Sequence, residues 1–139
     1  MKKLKKIDKN YLLIIVFGLL ALYLVVPENY IFGSNTDWVS QHIVFPDYFR
    51  KLFYSTKNLF PNLALSIGAG QNIYNFSYYG LLSPWLLLSY LFSFISMKNY
   101  IIILNSVIYC LFGVLLYKFL KPKYKENISL VSTILTMCA

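Results

Sequence analysis

The sequence predicts an all-α membrane protein of the polytopic kind, and three observations carry that prediction. Of the 139 residues 58% are hydrophobic and only 13% are charged, too little charge to cover the surface of a soluble domain of this length. The apolar residues fall in long blocks rather than in a scattered core pattern. The net charge of +8 is concentrated at the ends of those blocks. Lys2, Lys3, Lys5, Lys6 and Lys9 precede the first block, and Lys118, Lys121, Lys123 and Lys125 follow a later one. Basic residues in that position read as membrane topology, not as a nucleic-acid stripe.

The first apolar segment, Tyr11–Val26, ends at Pro27 and Glu28. It is long for the apolar stretch of a signal peptide, and "LVVPENY" lacks the small-x-small pattern of a cleavage site, so an uncleaved anchor is expected. The second segment is Leu81–Ile95 and the third is Tyr100–Tyr117. The fourth begins at Ile128 and is still running at Ala139, which suggests a piece of a longer chain, expected to be inactive in isolation. A spanning helix needs about 20 residues, which the first and third segments reach with their flanks.

Leu81–Ile95 is short for a span and carries Ser83-Pro84 near its start, which suits an interfacial or re-entrant piece. If it spanned, seven basic residues would lie outside and six inside; if it only dips into the outer leaflet, nine lie inside and four outside. The positive-inside rule selects the second arrangement. The expected layout is a first span at about 8–26, an outer loop with short amphipathic helices at 27–80, and an interfacial segment at 81–96. A second span at about 99–119, a basic cytoplasmic loop at 120–127 and the start of a third span at 128–139 complete it. The N-terminus is then cytoplasmic in a multi-pass protein of the cell membrane.

The outer stretch from Pro27 to Lys98 holds 17 of the 26 aromatic residues. Tyr and Trp gather at membrane interfaces in any case, and aromatic faces also stack on sugar rings. Gly33–Thr36 reads as a turn, with Asp37 where a helix N-cap belongs. Trp38, Gln41, Phe45, Phe49 and Leu52 recur at helical spacing. Pro46 within that pattern predicts two short helices, with the proline near the start of the second.

Asp37 is the strongest candidate for chemistry. A carboxylate at the head of a helix on the outer membrane face is placed to take a proton from an incoming hydroxyl. Capping alone would also explain an Asp there. Gln41, one turn on, faces the same side. Asp47 reads as a first-turn helix acid. His42 could orient a phosphate or be an ordinary interfacial side chain, and Arg50 and Lys51 could bind a lipid-linked phosphate or lipid head groups. Gly68–Asn72, "GAGQN", lacks the spacing of a phosphate loop and reads as a turn. Cys110 and Cys138 read as small apolar residues. With one His and no Cys/His cluster, no metal or cofactor site is assigned.

The ordered series Asp37/Gln41, Tyr48–Arg50, Gly68–Asn72, Tyr78-Tyr79 and Ser83-Pro84 resembles the opening of the bacterial YfhO family of membrane proteins, over roughly Phe32 to Phe94. That family is similar to the GT-C superfamily of polytopic glycosyltransferases, which use polyprenyl-phosphate-linked sugars on the outer side of the membrane. The resemblance implies a GT-C-like N-terminal part in a parent with a dozen or more spans. It also implies an acidic catalytic base in the first outer loop, at Asp37, and short juxtamembrane helices before the second true span. The implied activity is transfer of a sugar to a cell-envelope polymer such as teichoic acid. Gln41, His42, Arg50, Lys51, Gln71, Asn72, Tyr78 and Tyr79 would contact the substrates, with the lipid bilayer, the polyprenyl-linked sugar and the acceptor polymer as partners. Two other functions fit the same composition: a transporter or flippase for lipid-linked glycans, and a small non-enzymatic membrane anchor. A transporter predicts ionisable residues inside the spans, and Tyr11–Val26 and Tyr100–Tyr117 hold no Asp, Glu, Lys, Arg or His.

Overall fold

Asp8 opens the first helix of the computed structural model, which describes residues 8–26, 37–68 and 70–139. Its carboxylate accepts the Asn10 backbone N–H at 3.0 Å, an N-cap that satisfies one of the orphan donors of α1, Lys9–Val25. The chain is mostly helical and divides into two compact units. Met1–Asn29 with Ile103–Ala139 is one, and Tyr30–Ile102 is the other. The Gly33–Thr36 turn expected from the sequence lies outside the described residues.

In the Tyr30–Ile102 unit, a wide π turn at Trp38–His42 runs into α2, Val44–Thr56. Pro46 has no N–H to return to the preceding turn, and the chain widens there, with the Ile43 N–H reaching the Trp38 carbonyl at 3.1 Å. Pro46 then sits in the first turn of α2, where its missing donor is tolerated. Asp47 follows in the same turn and pairs with Arg50 and Lys51 at 3.2 and 2.6 Å. The helix stops at Lys57, which adopts the left-handed region (φ 56°) and donates to the Phe53 carbonyl.

Two short antiparallel strands follow, β1 at Leu63–Ala64 and β2 at Gln71–Asn72, with Leu63 opposite Asn72 and Ala64 opposite Gln71. The intervening turn needs glycine at Gly68 (φ 54°) and Gly70 (φ 93°). Asn72 then accepts the Tyr74 N–H at 3.0 Å and starts a 3₁₀ helix, Ile73–Tyr79. The core joins Phe49, Ala64, Ile73 and Leu81, with Phe45, Tyr48, Leu52, Phe76 and Tyr79 packed around it.

No continuous helix forms over Leu81–Ile95. The stretch is one turn of helix, α3 at Pro84–Leu87, then a 3₁₀ turn at Leu88–Phe92 and a bend. It leads directly into α4, Met97–Leu120, 24 residues that contain an 18-residue window with a mean hydropathy of 2.1. Among the described residues α4 alone is long and apolar enough to cross a membrane. At 1.5 Å per residue the 17 residues of α1 reach about 25 Å, short of a hydrocarbon core of about 30 Å.

The other unit packs α1, the part of α4 from Ile103 onward and α5, Glu126–Cys138, around Ile14, Tyr117 and Met137. Small residues let these helices approach. A Cβ added at Gly113 would lie 2.5 Å from Met137 Sδ and 2.8 Å from Ile14 Cγ2. Ser129 and Thr133 of α5 are fully buried and return their hydroxyls to the carbonyls of Lys125 and Ser129, as polar residues in apolar helices commonly do.

Polar pairing in this unit concentrates at one end. The Asn10 amide donates to Tyr117 Oη at 2.7 Å and to Glu126 at 2.6 Å, Tyr117 donates to Asp8 at 3.2 Å, and Lys121 pairs with Asp8 at 2.5 Å. The hydrogen bond to Asp8 holds the Lys121 ammonium above the usual lysine range.

Candidate functional site

The site is assembled from the π turn and the end of the 3₁₀ helix. Because α2 projects Phe45 toward the hairpin side of the unit, its ring stacks on Tyr79 at 4.3 Å and on Phe76 at 5.0 Å. That stacking brings Tyr79 alongside the π turn. The Tyr79 hydroxyl donates to Gln41 Oε1, across 38 residues of sequence. His42 lies edge-on to Tyr79 at 5.6 Å and against Trp38 at 5.1 Å. A run of rings results, Trp38–His42–Tyr79–Phe45–Phe76, with the neighbouring ring of Tyr78 4.1 Å from Tyr79 and largely exposed.

Asp37 occupies the N-cap position of the π turn without a side-chain capping hydrogen bond. It is exposed, and its charge is felt at Tyr79. The Tyr79 hydroxyl is pushed up to about 12, chiefly by its hydrogen bond with Tyr78, then by loss of solvent and by the negative charges of Tyr78 and Asp37. Tyr79 therefore keeps its proton across the neutral range and remains a donor to Gln41. With Oε1 engaged, Gln41 presents its amide nitrogen as the donor to whatever enters.

Asp37, Gln41, His42, Tyr78 and Tyr79 are thus brought together. Arg50 and Lys51 form a separate group on α2 around Asp47. Arg50 is only 6% exposed, and its guanidinium is engaged by Asp47 and by the Ile95 carbonyl at 2.9 Å. Lys51 is exposed and paired with Asp47. Gln71 and Asn72 serve the hairpin: Gln71 lies over Gly68, where a Cβ would meet its amide nitrogen at 2.2 Å, and Asn72 caps the 3₁₀ helix.

Phe45 and Phe76 join the site without having been assigned to it from sequence. Phe45 had a signal, since it recurs in helical register with Trp38 and Phe49, but Phe76 had none beyond aromatic density. Comparisons with protein-family models, curated proteins and solved structures find no match.

Proposed function

We propose that the chain is the N-terminal part of a polytopic membrane glycosyltransferase of the kind the YfhO resemblance implies, with its N-terminus cytoplasmic and Asp37 on the outer face. The observation that supports this reading is the meeting of Asp37 and Gln41 with Tyr78 and Tyr79. A carboxylate, an oriented amide and an exposed aromatic face form one small surface, and these are the groups that engage sugar hydroxyls and the apolar face of a sugar ring.

In the proposed reaction Asp37 takes the proton of an acceptor hydroxyl as its oxygen attacks the anomeric carbon of a polyprenyl-phosphate-linked sugar. The bond from that carbon to the phosphate oxygen breaks, and polyprenyl phosphate leaves. Gln41 donates to a sugar hydroxyl and Tyr78 lies under the ring. Of the two cations read for the departing phosphate, Arg50 is engaged inside the unit, and Lys51, exposed but paired with Asp47, belongs to the separate α2 group.

The test is Asp37→Asn in the full-length product of the gene, with envelope-polymer glycosylation measured in cells at matched membrane abundance. Asn caps helices about as well as Asp, so a mere cap predicts little change. A general base predicts a loss of about 10²–10⁴-fold. Undiminished glycosylation removes the catalytic role of Asp37 and leaves a flippase or an anchor as the better reading.

A further inference from the structure

The four lysines around the turn between α4 and α5 divide into one that serves the helices and three that do not. Lys121 pairs with Asp8 at 2.5 Å and lies 3.9 Å from Glu126. Glu126 also accepts the Asn10 amide at 2.6 Å, so both carboxylates near the turn are engaged in contacts between helices. Lys118, Lys123 and Lys125 are exposed. Among the described residues no carboxylate pairs with any of the three.

Lys123 differs from the other two in where its ammonium goes. Leu111, Leu115, Phe119 and Lys123 follow one another at four-residue spacing, so they share one side of the winding chain. The first three are exposed and apolar. The backbone keeps turning past the end of α4, with the Lys123 and Tyr124 N–H groups on the Leu120 carbonyl at 2.9 and 3.1 Å. Lys123 Nζ thereby comes to lie 3.7 Å from the centre of the Phe119 ring. A lysine at the end of an apolar helix ordinarily extends away from hydrocarbon. Here the ammonium is turned back onto the last ring of the apolar stripe and held by that ring's negative face. When α4 crosses a membrane the stripe faces acyl chains, and the ammonium stands at the level of the lipid phosphates. We propose that Lys123, held over Phe119, binds the phosphate of an anionic phospholipid in the leaflet where α4 ends. Holding the cation in place beforehand lowers the ordering cost of binding, which makes this one lysine a site while Lys118 and Lys125 add only diffuse charge. The inference goes beyond the sugar-transfer reading and stands or falls without it.

The test is lipid binding by the full chain, stripped of lipid in detergent and read by native mass spectrometry. Dioleoyl-phosphatidylglycerol is the probe, and dioleoyl-phosphatidylcholine, with the same chains and a choline to offset its phosphate, is the reference. One phosphatidylglycerol is expected to bind more tightly than phosphatidylcholine. Lys123→Gln should weaken it about fivefold, the attraction of one lysine to an anionic surface. Phe119→Leu, which keeps the stripe apolar and removes the ring, should weaken it by a smaller factor. Lys118→Gln and Lys125→Gln should change it little. All four substitutions are at exposed positions, and circular dichroism checks that helix content is kept. Equal losses at the three lysines overturn the site, because diffuse charge then explains the binding. No preference for phosphatidylglycerol overturns lipid as the occupant, in favour of an acidic protein segment. Displacement by glycerol 1-phosphate at concentrations comparable to the lipid also overturns it, since the ligand is then a free phosphate. Full affinity in Phe119→Leu overturns the role of the ring.

Discussion

The helical unit and the Tyr30–Ile102 unit meet the same requirement, to satisfy every buried polar group, by opposite means. In the helical unit the backbone is satisfied within long helices, so side chains are free to be apolar, and close approach comes from Gly18 and Gly113. Its cross-helix polar pairing is gathered largely at the end where Asp8, Asn10, Tyr117, Lys121 and Glu126 meet. In the Tyr30–Ile102 unit the helices are short and interrupted, so side chains do the satisfying: Asn72 caps, and Tyr54, Arg50 and Tyr100 reach for carbonyls. Cohesion there comes from stacked rings. Regular helices suit a scaffold, whereas broken turns expose side chains and backbone at odd angles, which suits a binding surface.

The widest separation between the two is expected from Phe49→Ala. Phe49 is 3% exposed at the centre of a small core with Ala64, Ile73 and Leu81, and truncating a buried Phe costs about 3–5 kcal/mol. A core of this size has little reserve, so the Tyr30–Ile102 unit should lose its amide protection while α1 and α5 keep theirs. Hydrogen exchange in detergent, read segment by segment, measures this. Equal loss in both units would show that they do not fold as separate bodies.

The helices were legible where apolar runs were long: α4 and α5 fall on the third and fourth apolar segments, and α1 on the first. The break at Pro46 was legible too, because a missing N–H has a local consequence. The π geometry before it was not, since the spacing of Trp38, Gln41 and Phe45 fits an ordinary helix as well. Leu81–Ile95 was readable as too short and too proline-marked for a span, but its division into α3 and a 3₁₀ turn depends on donors from Tyr54 and Arg50, distant in sequence. The same limit applies to the site. Asp37 and Gln41 were paired from their spacing, whereas the Tyr79–Gln41 hydrogen bond and the stacking of Phe45 on Tyr79 are tertiary events. The polar group at Asp8 and Tyr117 spans 109 residues and left no local trace, and the engagement of Arg50 inside the unit is invisible in a sequence where it looks like a free cation.

A smaller and opposite effect is expected from Tyr117→Phe. The ring, fully buried and edge-on to Tyr11 at 5.5 Å, is kept, so packing is unchanged. The lost hydroxyl strands one acceptor on Asp8 and one donor on Asn10. Leaving such groups unsatisfied costs about 1–3 kcal/mol, toward the lower end here because Asn10 and Asp8 reach solvent. Amide exchange should rise near the start of α1 and the end of α4 and stay unchanged over α2 and the hairpin. Faster exchange in the Tyr30–Ile102 unit would mean that the polar group stabilises both.

The least perturbing test concerns a proton. The Tyr79 hydroxyl ionises near 12 rather than near 10.0, so the neutral form is favoured by the fold. The sign follows: its hydrogen bond to Gln41 is intact below the ordinary tyrosine range and is lost only as pH rises through about 12. A phenolate absorbance titration of Tyr79→Phe, subtracted from that of the unaltered chain, should isolate one tyrosine ionising about two pH units late. Because Asp37 contributes to that shift through its charge, Asp37→Asn should move the isolated titration down toward 10, by less than removal of the Tyr78 hydroxyl in Tyr78→Phe. If Asp37→Asn leaves it in place, the carboxylate does not act on Tyr79, and the small surface that supports the sugar-transfer reading loses its charged member.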